Sequence, residues 1–177
     1  MGKIGTLRFA AGLVERYRDE TQCLLWHENV QLILSRTAPT LPFMKRIVLD
    51  LEVLYRQQGS RTGALLIIRD DVRPPSEEVR RYIAEELSRS SMAAAAQVVM
   101  GTGFAGAAMR SILTLIQTIS SAPYPMKVFS EPGAGAMWLA QELRVRVGHA
   151  PAAAELARLA REAYRHFLLD DIPSSIR

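Results

Sequence analysis

Apolar residues recur along this chain with two different periods, and the switching between them lays out its elements. Over 21–36, TQCLLWHENVQLILSR, two apolar runs flank His27-Glu28-Asn29. That pattern reads as two short strands joined by a tight turn, with Asn29 the residue that tolerates a left-handed backbone. From 40 to 58 the spacing turns helical. Met44, Ile47, Leu51 and Leu54 form one apolar stripe, Thr40 is placed to cap the start and Gly59 to close the end. TGALLIIRDD (62–71) is apolar without interruption at its centre, as in a strand buried on both faces of a parallel sheet. Pro74-Pro75 cannot continue it. Ser76 then suits an N-cap, Glu77 and Glu78 suit the first helical turn, and Val79, Ile83 and Leu87 supply the inward stripe.

The second half repeats the alternation. AAAAQVVM (93–100) is a strand by its β-branched end, and 104–120 is a helix with Met109, Ile112, Leu113, Ile116 and Ile119 on one face. PYPMKVFS (123–130) reads as a turn and a short strand, and 133–147 as a helix that Gly148 and Pro151 interrupt. A last helix over 151–168 sets Leu156, Leu159, Ala163 and Phe167 on one face, with Pro151 in its first turn. Residues 6–18 fit a strand or a short helix equally. The order is β-β-α-β-α-β-α-β-α plus a terminal helix. It predicts an α/β fold whose mixed sheet has a parallel portion, flanked by helices. No repeat and no long linker divides the chain, so 1–177 reads as one domain with a core over about 21–147. The added C-terminal helix must bury its stripe on this domain or on a second copy, and the short connection 148–150 favours the former.

Within this order the chain resembles the STAS-type domains, the fold of the SpoIIAA-like anti-anti-sigma factors. Two stretches carry the likeness: YPMKVFSEPGAGAMWLAQEL, similar to the closing strand and helix of such proteins, and GFAGAAMRSIL, similar to a crossover helix. The resemblance implies binding rather than chemistry, through partner switching, sensing or scaffolding. It also implies a phosphorylatable serine at the start of the helix after the second core strand, within an Asp-Ser-Ser-Gly-type turn. The matching stretch here is Asp70-Asp71-Val72-Arg73-Pro74-Pro75-Ser76-Glu77. It holds Ser76 but not the motif, so Ser76 reads as an N-cap rather than a phosphorylation site.

AQVVMGTGFAGAAMRSIL (96–113) sets a sharper question, because Gly101-Thr102-Gly103-Phe104-Ala105-Gly106 is a literal G-x-G-x-x-G between a strand and a helix. A dinucleotide site needs that turn in the first βα unit and an acid on the next strand. Glu131 is in the right kind of place, but the turn belongs to a later unit. The reading from sequence is a structural corner: Gly101 and Gly103 turn the chain, and Gly106 lets the helix approach the sheet. The alternative is a small-ligand, anion or nucleotide site built from Gly101, Thr102, Gly103, Gly106 and Arg110, using N–H groups at the helix start. Ser111 and Thr114 share the face of Arg110 and could line the same pocket.

Composition narrows the rest. The single cysteine, Cys23, excludes an intrachain disulfide and a cysteine zinc site. His27, His149 and His166 lack ligand spacing, and Trp26-His27 closes a hairpin strand, so no metal site or cofactor is expected. Lys occurs only at positions 3, 45 and 127, which removes a Walker loop. Asp70-Asp71 at a strand end reads as a solvated loop rather than a Mg²⁺ site. No nucleophile elbow or Cys-His dyad appears, so no catalytic residue is assigned. The net charge of +4 and the pI near 9.6 come from arginines spread along the chain, which is a solvated surface rather than a nucleic-acid face. No run reaches the about 18–20 apolar residues of a membrane helix. Charges interrupt the amino terminus, so it is no signal peptide, and Met1-Gly2 with Thr6 is only a short match to the myristoylation pattern. The expectation is a cytoplasmic, non-enzymatic interaction or regulatory module that binds a protein partner or itself as a homodimer, with no nucleic acid and no membrane.

Overall fold

The computed structural model describes residues 9–69, 71–101, 103–120 and 122–169. The Met1-Gly2/Thr6 pattern, Asp70, Thr102 and the tail from 170 lie outside the described residues, as do the side chains of Leu87, Phe104, Ile116 and Ile119. The elements run β1 (Val14–Arg18), β2 (Gln22–His27), β3 (Val30–Ser35), α1 (Leu41–Gln58), β4 (Thr62–Ile68), α2 (Glu77–Arg89), β5 (Met92–Val99), α3 (Phe104–Ser120), β6 (Met126–Phe129), α4 (Pro132–Val147) and α5 (Ala153–Ala163). A π-helical stretch, Tyr164–Leu169, continues α5. This is an α/β fold with a mixed sheet.

The six strands lie in the sheet in their sequence order. β1, β2 and β3 pair antiparallel, and β3 to β6 pair parallel. The undecided stretch before residue 18 contains a strand, β1, at the sheet edge. Its Glu15, Arg16 and Arg18 discourage a further strand from pairing there. Each parallel crossover moves one position in the same direction, so right-handed connections put α1, α2 and α3 on one face. α4 and α5 cover the other.

Side-chain alternation divides the core accordingly. Leu32, Leu34, Leu65, Ile67, Ala96 and Val98 point toward α4 and α5, where Leu139, Leu143, Leu156 and Phe167 meet them. Ile33, Ala64 and Ala95 point the other way, toward Phe43, Ile47 and Leu51 of α1. The α4 side is tightly packed. A Cβ added to Gly135 would stand 2.9 Å from Val98 Cγ2, and one added to Gly63 would stand 2.9 Å from Leu143 Cδ1.

Local signals behave as their chemistry demands. Thr40 accepts the Phe43 N–H, Ser76 accepts the Val79 N–H, and Gly59 closes α1 at φ 62°. Two expectations are corrected. In the β2–β3 turn the left-handed residue is Glu28, at φ 49°, not Asn29. Asn29 is held from both sides: its Nδ2 donates to the His149 carbonyl at 3.2 Å, and its own carbonyl accepts the Gly63 N–H at 2.9 Å. Pro151 stands before the last helix, which begins at Ala153. That helix packs on its own chain. Leu156, Leu159, Ala163 and Phe167 are all buried, and Arg36 donates to the Phe167 carbonyl while lying over its ring.

Candidate functional site

The glycine turn leaves β5 at its carboxyl end. Gly101 has φ 89°, so it takes a conformation that a side chain would strain. Gly106 lies against the turn, and a Cβ there would come 3.1 Å from the Gly101 carbonyl oxygen. Gly103 is different. It has open space around it and no positive φ, and its carbonyl accepts the Ala107 N–H as the residue capping α3. The corner therefore depends on Gly101 and Gly106, not on Gly103. Gly101→Ala is expected to lower stability by about 1–2 kcal/mol, whereas Gly103→Ala changes it by no more than about 0.5 kcal/mol. Urea denaturation of both variants separates them, and equal losses would contradict this assignment.

Arg110 turns back onto the same corner. Its Nη1 donates to the carbonyl oxygens of Gly101 at 2.9 Å and Val99 at 3.4 Å. Ser111 and Thr114 are exposed and donate to carbonyls of their own helix, Ala107 and Arg110. Glu131 caps α4 by accepting the Ala134 N–H at 2.6 Å, and its other oxygen lies 3.8 Å from Arg161. Asp71 takes a two-pronged contact from Arg69, at 2.9 and 2.5 Å. Asp71, Arg110 and Glu131 thus each have partners of their own, and none of the three is bonded to another. The sheet also lacks a reversal of strand order in its parallel part, where dinucleotides bind in open α/β sheets. Thr102 lies outside the described residues.

Other singled-out residues serve the framework. Burial pushes the Cys23 thiol up to about 12, so at neutral pH it is protonated and no nucleophile. Ring nitrogen Nδ1 of His27 lies 2.9 Å from the Gly12 carbonyl oxygen. The histidines are less separate than their sequence positions suggest. His27 Nε2 is 3.8 Å and His149 Nε2 3.4 Å from the carboxylate of Glu28. Among the described residues no group of three or more His, Cys, Asp or Glu is placed to hold a metal ion.

Sequence reasoning passed over a carboxylate. Asp50 of α1 stands beside the buried stripe Ile47–Leu51–Leu54 and faces β1, β2 and β3. Its Oδ2 accepts Trp26 Nε1 at 2.6 Å and Gln31 Nε2 at 2.7 Å, and its Oδ1 accepts Arg16 Nε at 3.2 Å. Arg16 also lies over the Trp26 indole, 4.0 Å from its centroid. With these donors the carboxylate clamps α1 to the antiparallel strands. An acid on the margin of an apolar helical stripe was the available signal.

Room for a ligand lies elsewhere. Between α1, α2 and the sheet is a cavity of about 540 Å³, within the range of small-molecule sites. Its floor includes Ser35 of β3, Ala64 and Leu66 of β4, and Ala95 and Gln97 of β5; Phe43, Ile47, Ile83, Met109 and Leu113 help wall it. Leu66 marks the hollow. β4 lies inside the sheet and its other residues are buried, yet Leu66 is only half-buried. The cause is a shortage of side-chain volume. Ala64 and Ala95 raise only methyl groups from the floor, and α2 has few apolar residues, with Val79 buried and Ile83 half-buried. The two-residue period that puts Ala95 and Gln97 on one face of β5 was legible in AAAAQVV, as was the sparse stripe of α2. What lay above them was not.

Comparison with family models, with curated proteins and with solved structures returns no match. No helix among the described residues is long and apolar enough to cross a membrane.

Proposed function

We propose that this chain is a non-catalytic, ligand-responsive binding module of the STAS-like kind, and that its ligand is a small, largely apolar molecule held between α1, α2 and the sheet. The observation that carries this reading is the cavity beneath α2, with Leu66 open to it on an interior strand. Apolar walls with a few polar groups are the ordinary make-up of such a site, and Ser35 and Gln97 supply polar groups on the floor. The resemblance of its sequence stretches to STAS-type domains supports a regulatory role. The cavity gives it a physical route: α2 forms one wall, so an occupant braces α2 and alters the surface that a partner protein or a second copy reads. The glycine corner is the weaker ligand candidate, because Arg110 already bonds its carbonyls.

Binding is tested by thermal shift and native mass spectrometry with a panel of apolar small molecules. A ligand present at 100 times its dissociation constant adds about 2.7 kcal/mol of stability. Leu66→Trp, which fills the hollow, is expected to abolish the shift while the protein still melts cooperatively. Absence of any shift with apolar molecules, alongside a nucleotide-induced shift lost in Gly106→Val, would replace this reading with the glycine-turn site.

A further inference from the structure

We infer that the ligand is an amphipathic anion, an apolar body ending in one oxyanion head group such as a carboxylate, and that it binds with its head at Arg73. This rests on the reading of the cavity as a ligand site and adds the ligand's class and direction. The cavity runs along the strands, because α1 and α2 return antiparallel to β3, β4 and β5. Its two ends therefore differ in chemistry. The end beside the strands' amino termini is lined by Glu52, Arg56, Glu86 and Arg89, equal numbers of acids and bases, with Arg56 3.7 Å from Glu52. At the carboxyl end, past β4, Arg73 is the charged residue of the lining.

Arg73 is exposed and forms no hydrogen bond or ion pair with a described residue. Asp71, two positions earlier, is taken by Arg69 and so leaves Arg73 its charge. The amino terminus of α1 opens on this end through Pro39, Phe43 and Met44, and its first turn contains no acid, so the positive end of its dipole is uncompensated. α2 also begins here, but Glu77 and Glu78 occupy its first turn; both are exposed and outside the lining. Between the ends, Ala64, Leu66, Ile83 and Ala95 offer nothing to a charge and Gln97 is neutral, so burying a charge there is costly. A ligand that uses the whole space accordingly has one charged end and an apolar remainder. This is also the end of the strands where α/β sheets place their ligands.

Three probes of one chain length separate the possibilities: laurate, dodecanol and dodecyltrimethylammonium, titrated below their micelle concentrations with binding read by calorimetry. Laurate is expected to bind at least about tenfold more tightly than dodecanol, the scale of one hydrogen bond to a charged group. Dodecyltrimethylammonium should bind most weakly. Arg73→Glu should erase the preference for laurate, whereas Arg89→Glu at the opposite end should keep it. Equal affinity for laurate and dodecanol, or a preference that survives Arg73→Glu, overturns the head-group assignment and leaves the cavity standing. If none of the three binds and Leu66→Trp changes nothing, the cavity reading itself falls.

Discussion

A chain ended after Val147 is expected not to fold. The truncation removes α5 and the π-helical stretch, and with them Leu156, Leu159, Phe167 and Leu168, whose exposures are 0%, 0%, 1% and 1%. Burying such side chains contributes about 1.5–3 kcal/mol each as an upper estimate. Four of them reach about 6–12 kcal/mol, which is the size of a whole domain's stability. The loss is doubled in kind, because inward residues of β2 and β3, among them Leu25, Leu32 and Leu34, belong to the same cluster and would face water. Arg36 would also lose the Phe167 carbonyl and ring. Circular dichroism and a thermal melt of the truncated chain provide the check. A cooperative melt close to that of the full chain would mean that the last helix is a loosely attached arm, available to another protein.

Asp50→Ala is the point substitution with the largest expected cost. It leaves Trp26 Nε1 without its acceptor and the fully buried Gln31 Nε2 with only its longer bond to the Ile47 carbonyl, at 3.4 Å. An orphaned buried donor costs about 1–3 kcal/mol and a lost hydrogen bond about 1 kcal/mol, so the expected destabilisation is about 2–4 kcal/mol. The Arg16 contact adds little, because that side chain is 35% exposed. Asp50→Asn keeps one acceptor oxygen and should lose roughly half as much. Trp26→Phe combined with Asp50→Ala should cost less than the two separately, since both remove the same bond. Urea midpoints of the four proteins measure this. A change for Asp50→Ala within about 0.5 kcal/mol, the range of an ordinary surface substitution, would show that the clamp contributes nothing. Because α1 also walls the cavity, a loosened clamp should weaken ligand binding even in protein that remains folded.

What the sequence determined by itself is what depends on neighbours along the chain. Thr40 and Ser76 cap their helices and Gly59 ends α1 because a cap involves residues within about one turn of each other. The alternation of strands and helices was legible from 21 onward for the same reason, since hydrophobic period reports a residue's own element. At the glycine corner the local reading succeeded for Gly101, whose φ is intrinsic to the turn, and failed for Gly103, which a spacing motif cannot tell apart from it. β1 stayed undecided because VERYR has no strong period, and its pairing with β2 settles its conformation. Tertiary structure alone decided the rest. That the strands lie in sequence order, with three helices on one face and two on the other, follows from crossover handedness acting on the whole sheet. That Asp50 meets Trp26 and Gln31, or that His27 and His149 meet Glu28, follows from contacts between distant segments. The cavity is the most tertiary feature of all. Ala64, Ala95 and the sparse apolar face of α2 are ordinary in their own elements, and they leave a hollow only because the fold sets them opposite one another, where their combined volume falls short of the space between helix and sheet.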